Sequence, residues 1–225
     1  MKSRIMVIDD HAIVLHGLRE LINGEPDLEV TMTAVSAEGA LEFLREQQPD
    51  MVVTDISLPG LSGIELIREL SRLYPALPTL VLSMHDELVY GERALRAGAK
   101  GYLVKQEAPE KVIVAIRKVL AGERYLSDRM QSLLAHKVRG RPANQPLSVL
   151  SGLTDREHEI FRMIGLALGT NEIALKLNRS VKTIEAHRAN LKRKLGLRNA
   201  HELNRFAANW SDRSSNHDDR RDGFL

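Results

Sequence analysis

Met51-Val52-Val53-Thr54-Asp55-Ile56-Ser57-Leu58-Pro59-Gly60 decides how the first half of this chain is read. Four apolar or β-branched residues end on a carboxylate, and a proline-glycine turn follows. A short run of this kind without polar alternation suits a strand buried on both faces, as in a parallel sheet. Outward from it the pattern recurs. Ile5-Met6-Val7-Ile8 ends on Asp9 and Asp10, Leu80-Val81-Leu82 on Ser83, and Tyr102-Leu103-Val104 on Lys105. Helix-length segments lie between the runs. Leu15, Leu18, Leu21 and Ile22 fit one helix face, as do Ala40, Leu41, Phe43 and Leu44, and then Ile64, Leu66, Ile67 and Leu70. A last helix carries Val112, Ile113, Ile116, Val119 and Leu120, entered at Pro109 and stopped at Gly122. Five βα units of this kind give an α/β fold with a doubly wound, five-stranded parallel sheet. Ligands bind such sheets beyond the carboxyl ends of the strands, where all five polar side chains would converge.

Each residue type has a use there. Gathered carboxylates repel and favour protonation unless a cation holds them, and an all-oxygen set with room for waters suits Mg2+. One carboxylate can then attack a phosphoryl donor while the metal and a lysine neutralise the charge on the transferred group. Asp55 is the best nucleophile, because it stands alone at its strand end before the turn, which leaves Asp9 and Asp10 to hold metal. Ser83 can donate a hydrogen bond to the new phosphoryl group and Lys105 can pair with it. Taken singly, each is commonly a solvated loop residue or a helix cap; the joint spacing carries the reading.

On Ile8-Asp9-Asp10-His11, Thr54-Asp55-Ile56-Ser57-Leu58-Pro59 with Gly63 beyond, Leu82-Ser83-Met84, and Gly98-Ala99-Lys100-Gly101-Tyr102-Leu103-Val104-Lys105, residues 1–122 resemble the receiver domain of a bacterial two-component response regulator. The resemblance implies a CheY-like (flavodoxin-like) fold with phosphorylation at Asp55. It implies Mg2+ held by Asp9, Asp10, Asp55 and the backbone carbonyl of Ser57, and a switch made of Ser83, Lys105 and the aromatic ring of Tyr102. Gln106 stands where many receivers carry proline, and a cis peptide there would be costly without it.

The 225 residues suit two domains, and no apolar run is long enough to span a membrane. With no signal-peptide pattern, a cytoplasmic location and no membrane partner are expected. The absence of cysteine excludes disulfides and thiolate metal sites, and the eight histidines show no paired ligand spacing. The net charge of +2 hides a division. Residues 1–130 carry 15 Lys/Arg against 20 Asp/Glu, whereas residues 131–225 carry 17 against 10. Between Lys176 and Arg198, eight basic residues face the single acid Glu185.

Residues 123–149 are expected to form a linker, part helical from Ser127 to about Val138, and residues 211–225 a disordered polar tail. Between them, residues 150–210 have the pattern of a small all-α domain. Thr154 and Glu157 form a capping box for a helix that Gly169 is expected to stop. A short helix over about 171–177, a turn at Asn178-Arg179 and a new N-cap at Ser180 make a helix-turn-helix. In the helix from Val181 to Lys194, Val181, Ile184, Leu191 and Leu195 should face inward, with Lys182, Glu185, Ala186, Ala189 and Arg193 opposite. An outer face with small alanines between charged residues can sit deep in a DNA major groove.

The stretches Leu153-Thr154-Asp155-Arg156-Glu157, Asn171-Glu172-Ile173-Ala174, Ser180 to Arg188 and Lys194-Leu195-Gly196 resemble the LuxR/NarL/FixJ-type DNA-binding domain. The resemblance makes 181–194 the recognition helix, with Lys182, Thr183, Glu185, Ala186, His187, Arg188, Ala189, Lys192 and Lys194 as DNA-facing residues. It implies a homodimer on a double-stranded operator. The following helix, with Leu203, Phe206, Ala207 and Trp210, is either a dimer contact or the closure of the domain's own core. The expected function is that of a response regulator rather than an enzyme: a sensor histidine kinase or phosphotransfer protein phosphorylates Asp55, and the change controls DNA binding and transcription, with RNA polymerase as a further partner. Two alternatives stand beside it. One is a DNA-binding regulator that uses the receiver only as an interaction module. The other is an aspartate-nucleophile phosphohydrolase, which typically needs a second acid two residues after the nucleophile, where this chain has Ser57.

Overall fold

Each apolar run becomes a strand in the computed structural model of the chain, which describes residues 1–85, 87–138, 150 and 152–215. β1 (Ser3–Ile8), β2 (Leu28–Ala34), β3 (Met51–Thr54), β4 (Thr79–Ser83) and β5 (Gly101–Val104) form one sheet in the order β2-β1-β3-β4-β5, with every pairing parallel. The register sets Ile8 beside Thr54 and Ser83 beside Val104. Asp9, Asp55, Ser83 and Lys105 therefore share one rim. Strand order reverses between β1 and β3, and a crevice for a ligand opens at such a point.

Both sheet faces are covered, as the apolar runs require. Ile5, Val7, Val53, Leu80 and Leu82 pack with Leu18 and Ile22 of α1 (Ala12–Asn23) and with Ile113 and Ile116 of α5 (Pro109–Leu120). Met6, Ile8 and Val52 pack on the other face with Ala40 and Leu44 of α2 (Ala37–Glu46) and Leu66 and Leu70 of α3 (Gly63–Leu73). Val81 and Tyr102 meet Tyr90, Ala94 and Ala97 of α4 (Glu87–Ala97) on that same side. β2 lies at the sheet edge, which is why Leu28–Ala34 alternates where the inner strands do not. Phe43, expected on the inner face of α2, is instead exposed, because the inner face of α2 is made of Ala37, Ala40, Leu41 and Leu44.

Residues 128–138 of the expected linker form α6 (Asp128–Val138), which packs against α4. Residues 139–149 lie outside the described residues. The chain divides into two compact units, Met1–Asn144 and Gln145–Leu225. In the second, α7 (Asp155–Gly165), α8 (Thr170–Lys176), α9 (Val181–Leu195) and α10 (Ala200–Ser215) enclose Phe161, Ile164, Ile173, Leu177, Ile184, Leu191, Leu203 and Ala207.

Several local expectations are corrected here. Gly169 does not stop α7. That helix ends at Gly165, the chain reverses through Ala167 at φ +60°, and Gly169 becomes the N-cap of α8. Leu168, in the turn between the two helices, packs on the core. Val181 is exposed, because the inner face of α9 begins one turn later at Ile184. α10 runs to Ser215, so the first five residues of the expected tail are helical; residues 216–225 lie outside the described residues. The apolar stripe of α10 closes its own domain. Leu203 and Ala207 are buried, and the rings of Phe206 and Trp210 lie 5.7 and 5.8 Å from that of Phe161. No helix among the described residues is long and apolar enough to cross a membrane.

Candidate functional site

The rim of the sheet gathers Asp9, Asp55 and Lys105 into direct contact. The Lys105 ammonium donates to Asp55 Oδ2 at 2.7 Å and also pairs with Asp9. Both carboxylates are almost fully buried, with side chains 2 % and 4 % exposed, and the lysine supplies the opposite charge beside them. Burial alone would lower the Lys105 pKa, but Asp55 and Asp9 outweigh it and hold it above the ordinary value. The other oxygen of Asp55, Oδ1, accepts from the backbone N–H groups of Ile56 and Ser57. These bonds orient the carboxylate and leave its Oδ2 edge towards the ammonium.

Local sequence explains how the chain leaves Asp55. After β3 the chain turns through Leu58-Pro59-Gly60 and enters α3 at a capping box, in which Ser62 and Glu65 satisfy each other's backbone N–H groups. Gly63 opens that helix, and a Cβ there would stand 2.0 Å from the Asp55 carbonyl oxygen. Only glycine permits this close approach of α3 to the site.

Asp10 is placed differently from Asp9. Its side chain is 35 % exposed and lies 2.7 Å from Nδ1 of His11, which is also 3.2 Å from Asp9 Oδ1. Burial, together with the charges of Asp9 and Asp55, pushes the Asp10 carboxyl pKa up against the opposing pull of His11. Asp9, Asp10 and His11 offer ligand atoms within 4.8 Å of one another. Hard carboxylate oxygens at that spacing, one of them destabilised as an anion by its neighbours, fit a small divalent cation such as Mg2+.

Ser83 is fully buried at the end of β4. Its Oγ accepts from the His85 N–H at 3.4 Å, and the Tyr102 hydroxyl donates to the His85 carbonyl at 2.9 Å. His85 Nε2 lies 2.6 Å from Ser57 Oγ, and its ring stacks on Tyr90 at 4.7 Å. His85 thus joins Asp55's neighbour Ser57, Ser83 and Tyr102, yet it was missed in the sequence. The available signal was spacing, since His85 follows Ser83 by two residues as Ser57 follows Asp55. The Lys105–Gln106 peptide is trans, there being no cis peptide among the described residues.

The second unit presents a helix surface. α9 starts at Ser180, whose Oγ accepts from the Thr183 N–H at 3.1 Å, and ends at Gly196 in the left-handed conformation at φ +68°. The turn before it passes through Asn178 at φ +49°. Lys182, Glu185, Ala186 and Ala189 are exposed on one face, opposite buried Ile184 and Leu191. His187, Arg188 and Lys192 are half-buried. Two of the expected DNA-facing cations are engaged within the domain. Arg188 donates to Asn204 Oδ1 of α10 at 2.9 Å, and burial lowers its pKa. Lys194 donates to Glu157 Oε2 at 2.6 Å, the oxygen that also serves the Thr154 capping box.

Residues 5–117 match the family model of the response regulator receiver domain, and residues 151–207 that of the luxR family of bacterial regulatory proteins. Along its length the chain is 36 % identical to the oxygen regulatory protein NreC of Staphylococcus carnosus, over 91 % of this chain and 96 % of the relative. Among solved structures, a LuxR-family two-component response regulator from Aurantimonas sp. SI85-9A1 is 37 % identical, with a TM-score of 0.58 over 62 % of this chain and 99 % of that one. The RcsB response regulator of Salmonella typhimurium is 27 % identical with a TM-score of 0.66 over 92 % of this chain and 98 % of that one. A second RcsB structure, bound to promoter rprA in the presence of the phosphomimetic BeF3-, is 26 % identical with a TM-score of 0.62, over 92 % of this chain and 99 % of that one.

Proposed function

Because the chain belongs to the two-component response regulators that join a receiver domain to a LuxR-family DNA-binding domain, we propose that Asp55 is its phosphoacceptor and that phosphorylation there controls sequence-specific DNA binding by α9. The observation that carries this reading is the Asp55 carboxylate, buried at the end of β3 with its Oδ2 2.7 Å from the Lys105 ammonium. An aspartate so held is a poised nucleophile with a cation beside the position that the incoming group must take. Its Oδ2 attacks the phosphorus of a histidine phosphoramidate or small acyl phosphate, the donor's P–N or P–O bond breaks, and its electron pair leaves with the donor. Lys105 then pairs with the transferred group. Ser83 donates to one of its oxygens, exchanging its bond with the His85 N–H.

Asp9, Asp10, Asp55 and the Ser57 carbonyl would hold Mg2+, which when bound supplies positive charge against the negative oxygens of the transferring group. A sensor histidine kinase or phosphotransfer protein is the donor, a double-stranded operator the target, and a homodimer on DNA the binding form, as for the RcsB dimers bound to DNA. RNA polymerase is a further partner in transcription, and the cytoplasm is the compartment. Residues 1–122 act as the receiver, 150–210 as the DNA-binding domain, and 123–149 join them. On the outer face of α9, Lys182, Thr183, Glu185, Ala186 and Ala189 meet the major groove, with His187, Arg188, Lys192 and Lys194 along its flanks.

The test is to incubate the purified protein with a small acyl phosphate and Mg2+, following labelling, oligomeric size and operator affinity together. Asp55→Asn keeps the shape but removes the nucleophile, so labelling should vanish while the fold remains. Full labelling of that variant would overturn the assignment.

A further inference from the structure

Residues 125–138 lie against the switch rather than merely leading away from it. Tyr125 bridges to Gly101 at the edge of β5: its N–H donates to the Lys100 carbonyl at 3.0 Å, and its carbonyl accepts from the Tyr102 N–H at 3.2 Å. This approach needs glycine, since a Cβ at Gly101 would stand 2.8 Å from the Tyr125 carbonyl oxygen. Ser127 then caps α6 by accepting from the Met130 N–H at 3.1 Å. Met130 is completely buried in a notch of α4 at Gly91, where an added Cβ would meet its Cε at 2.6 Å and its Sδ at 2.8 Å. Cγ of the Tyr102 ring lies 3.7 Å from that same point. Met130 and the ring of Tyr102 thus both border the open side of Gly91.

A chain of contacts runs from the phosphoacceptor to this notch. Ser57 meets His85 at 2.6 Å, the Ser83 hydroxyl accepts from the His85 N–H, and the His85 carbonyl accepts from the Tyr102 hydroxyl. We infer that Met130 and α6 form a latch on Tyr102, closed in the described state and released when the site at Asp55 is phosphorylated, so that the segment leading to the second domain changes its order with the state of the switch. The inference rests on the proposed role of Asp55. Met130 and the Tyr102 ring both pack at Gly91, so a shift of that ring changes the packing that holds α6. The coupling is reciprocal: what loosens α6 must also favour the phosphorylated arrangement of Tyr102.

Hydrogen exchange of the backbone over 128–138 in the full-length protein tests this, with labelling of Asp55 read separately. In unmodified protein, complete labelling by an acyl phosphate with Mg2+ should speed exchange over 128–138 by at least about tenfold. Gly91→Ala, whose methyl forces the end of Met130 to move, and Met130→Ala, which empties the notch, should each give a rise without any donor, the larger for Met130→Ala. Met130→Leu should restore most of the protection, which separates a specific contact from general loss of structure. Both loosening variants should still label, and their operator affinity should depend less on the donor. Unchanged exchange over 128–138 in fully labelled protein overturns the latch. So does unchanged exchange in Gly91→Ala, whether or not the protein labels. Loss of labelling in the unmodified protein counts instead against the role given to Asp55.

Discussion

Lys105 is the residue on which the acidic site depends, because it pairs with two buried carboxylates at once. Lys105→Ala leaves Asp9 and Asp55 close together without their cation, and losing one partner of a buried ionic group commonly costs about 3–5 kcal/mol. A divalent cation can replace part of that compensation. The melting temperature of Lys105→Ala should therefore rise more on adding Mg2+ than that of the unmodified protein, as a thermal scan would read; equal shifts would mean that the metal does not bind at these carboxylates. Phosphorylation should persist in this variant while its effect on DNA affinity weakens. In the unmodified protein, excess chelator should block transfer, and rapid labelling in chelator would give the acidic cluster another role. Strand-end spacing was enough to bring Asp9, Asp55, Ser83 and Lys105 to one rim. Which of them touch was not legible, and neither was His85, since spacing locates a residue on an edge without setting its rotamer.

At the scale of elements, one oxygen of Glu157 serves both the start of α7 and the end of α9. Burial alone would raise the Glu157 pKa, but Lys194 and the Thr154 N–H and hydroxyl outweigh it and hold the carboxyl below its ordinary 4.5. A depressed folded-state pKa means stabilisation that is present above the unfolded value and lost as pH falls through the folded one. Lys194→Ala should reduce stability by about 1 kcal/mol near neutral pH and flatten this acid dependence, the lysine being partly solvated. Urea unfolding followed by the fluorescence of Trp210, the sole tryptophan and part of the same domain, would measure both. Equal acid sensitivity in the variant would assign it to other groups. Lys182 is exposed, and Lys182→Ala should leave stability alone while lowering the salt slope of DNA binding by roughly one. Glu185→Ala, tested on a randomised operator library, should relax preference at one base position per half-site, because a carboxylate near DNA is tolerated where a cytosine amino group donates to it. An unchanged preference would move base reading to neighbouring side chains. The helix pattern of 154–195 was legible because caps and periodicity are local; the Lys194–Glu157 pair was not, since 37 residues separate its partners.

For the whole molecule, phosphorylation can raise DNA affinity only by the extent to which it favours the binding-competent form, and a tenfold gain needs about 1.4 kcal/mol. Bonds from Ser83 and Lys105 to a new charged group can meet that demand. A fragment from Ser148 to Ser215, which retains all of α10, should bind DNA without any phosphodonor in a low-salt titration; a folded fragment that failed to bind would require the receiver to do more than relieve inhibition or promote pairing. By itself the sequence determined the alternation of strands and helices, the acidic first half and basic second half, the rim on which the site lies, and the exposed face of α9. These follow from period, composition and chain direction, which are properties of neighbouring residues. Tertiary structure alone decided that Gly169 begins a helix rather than ending one, that Phe206 and Trp210 close their own core, that Arg188 and Lys194 are tied within their domain, and that Met130 fills the notch at Gly91. Each of these depends on which surfaces meet across long stretches of chain, and local pattern carries no record of that.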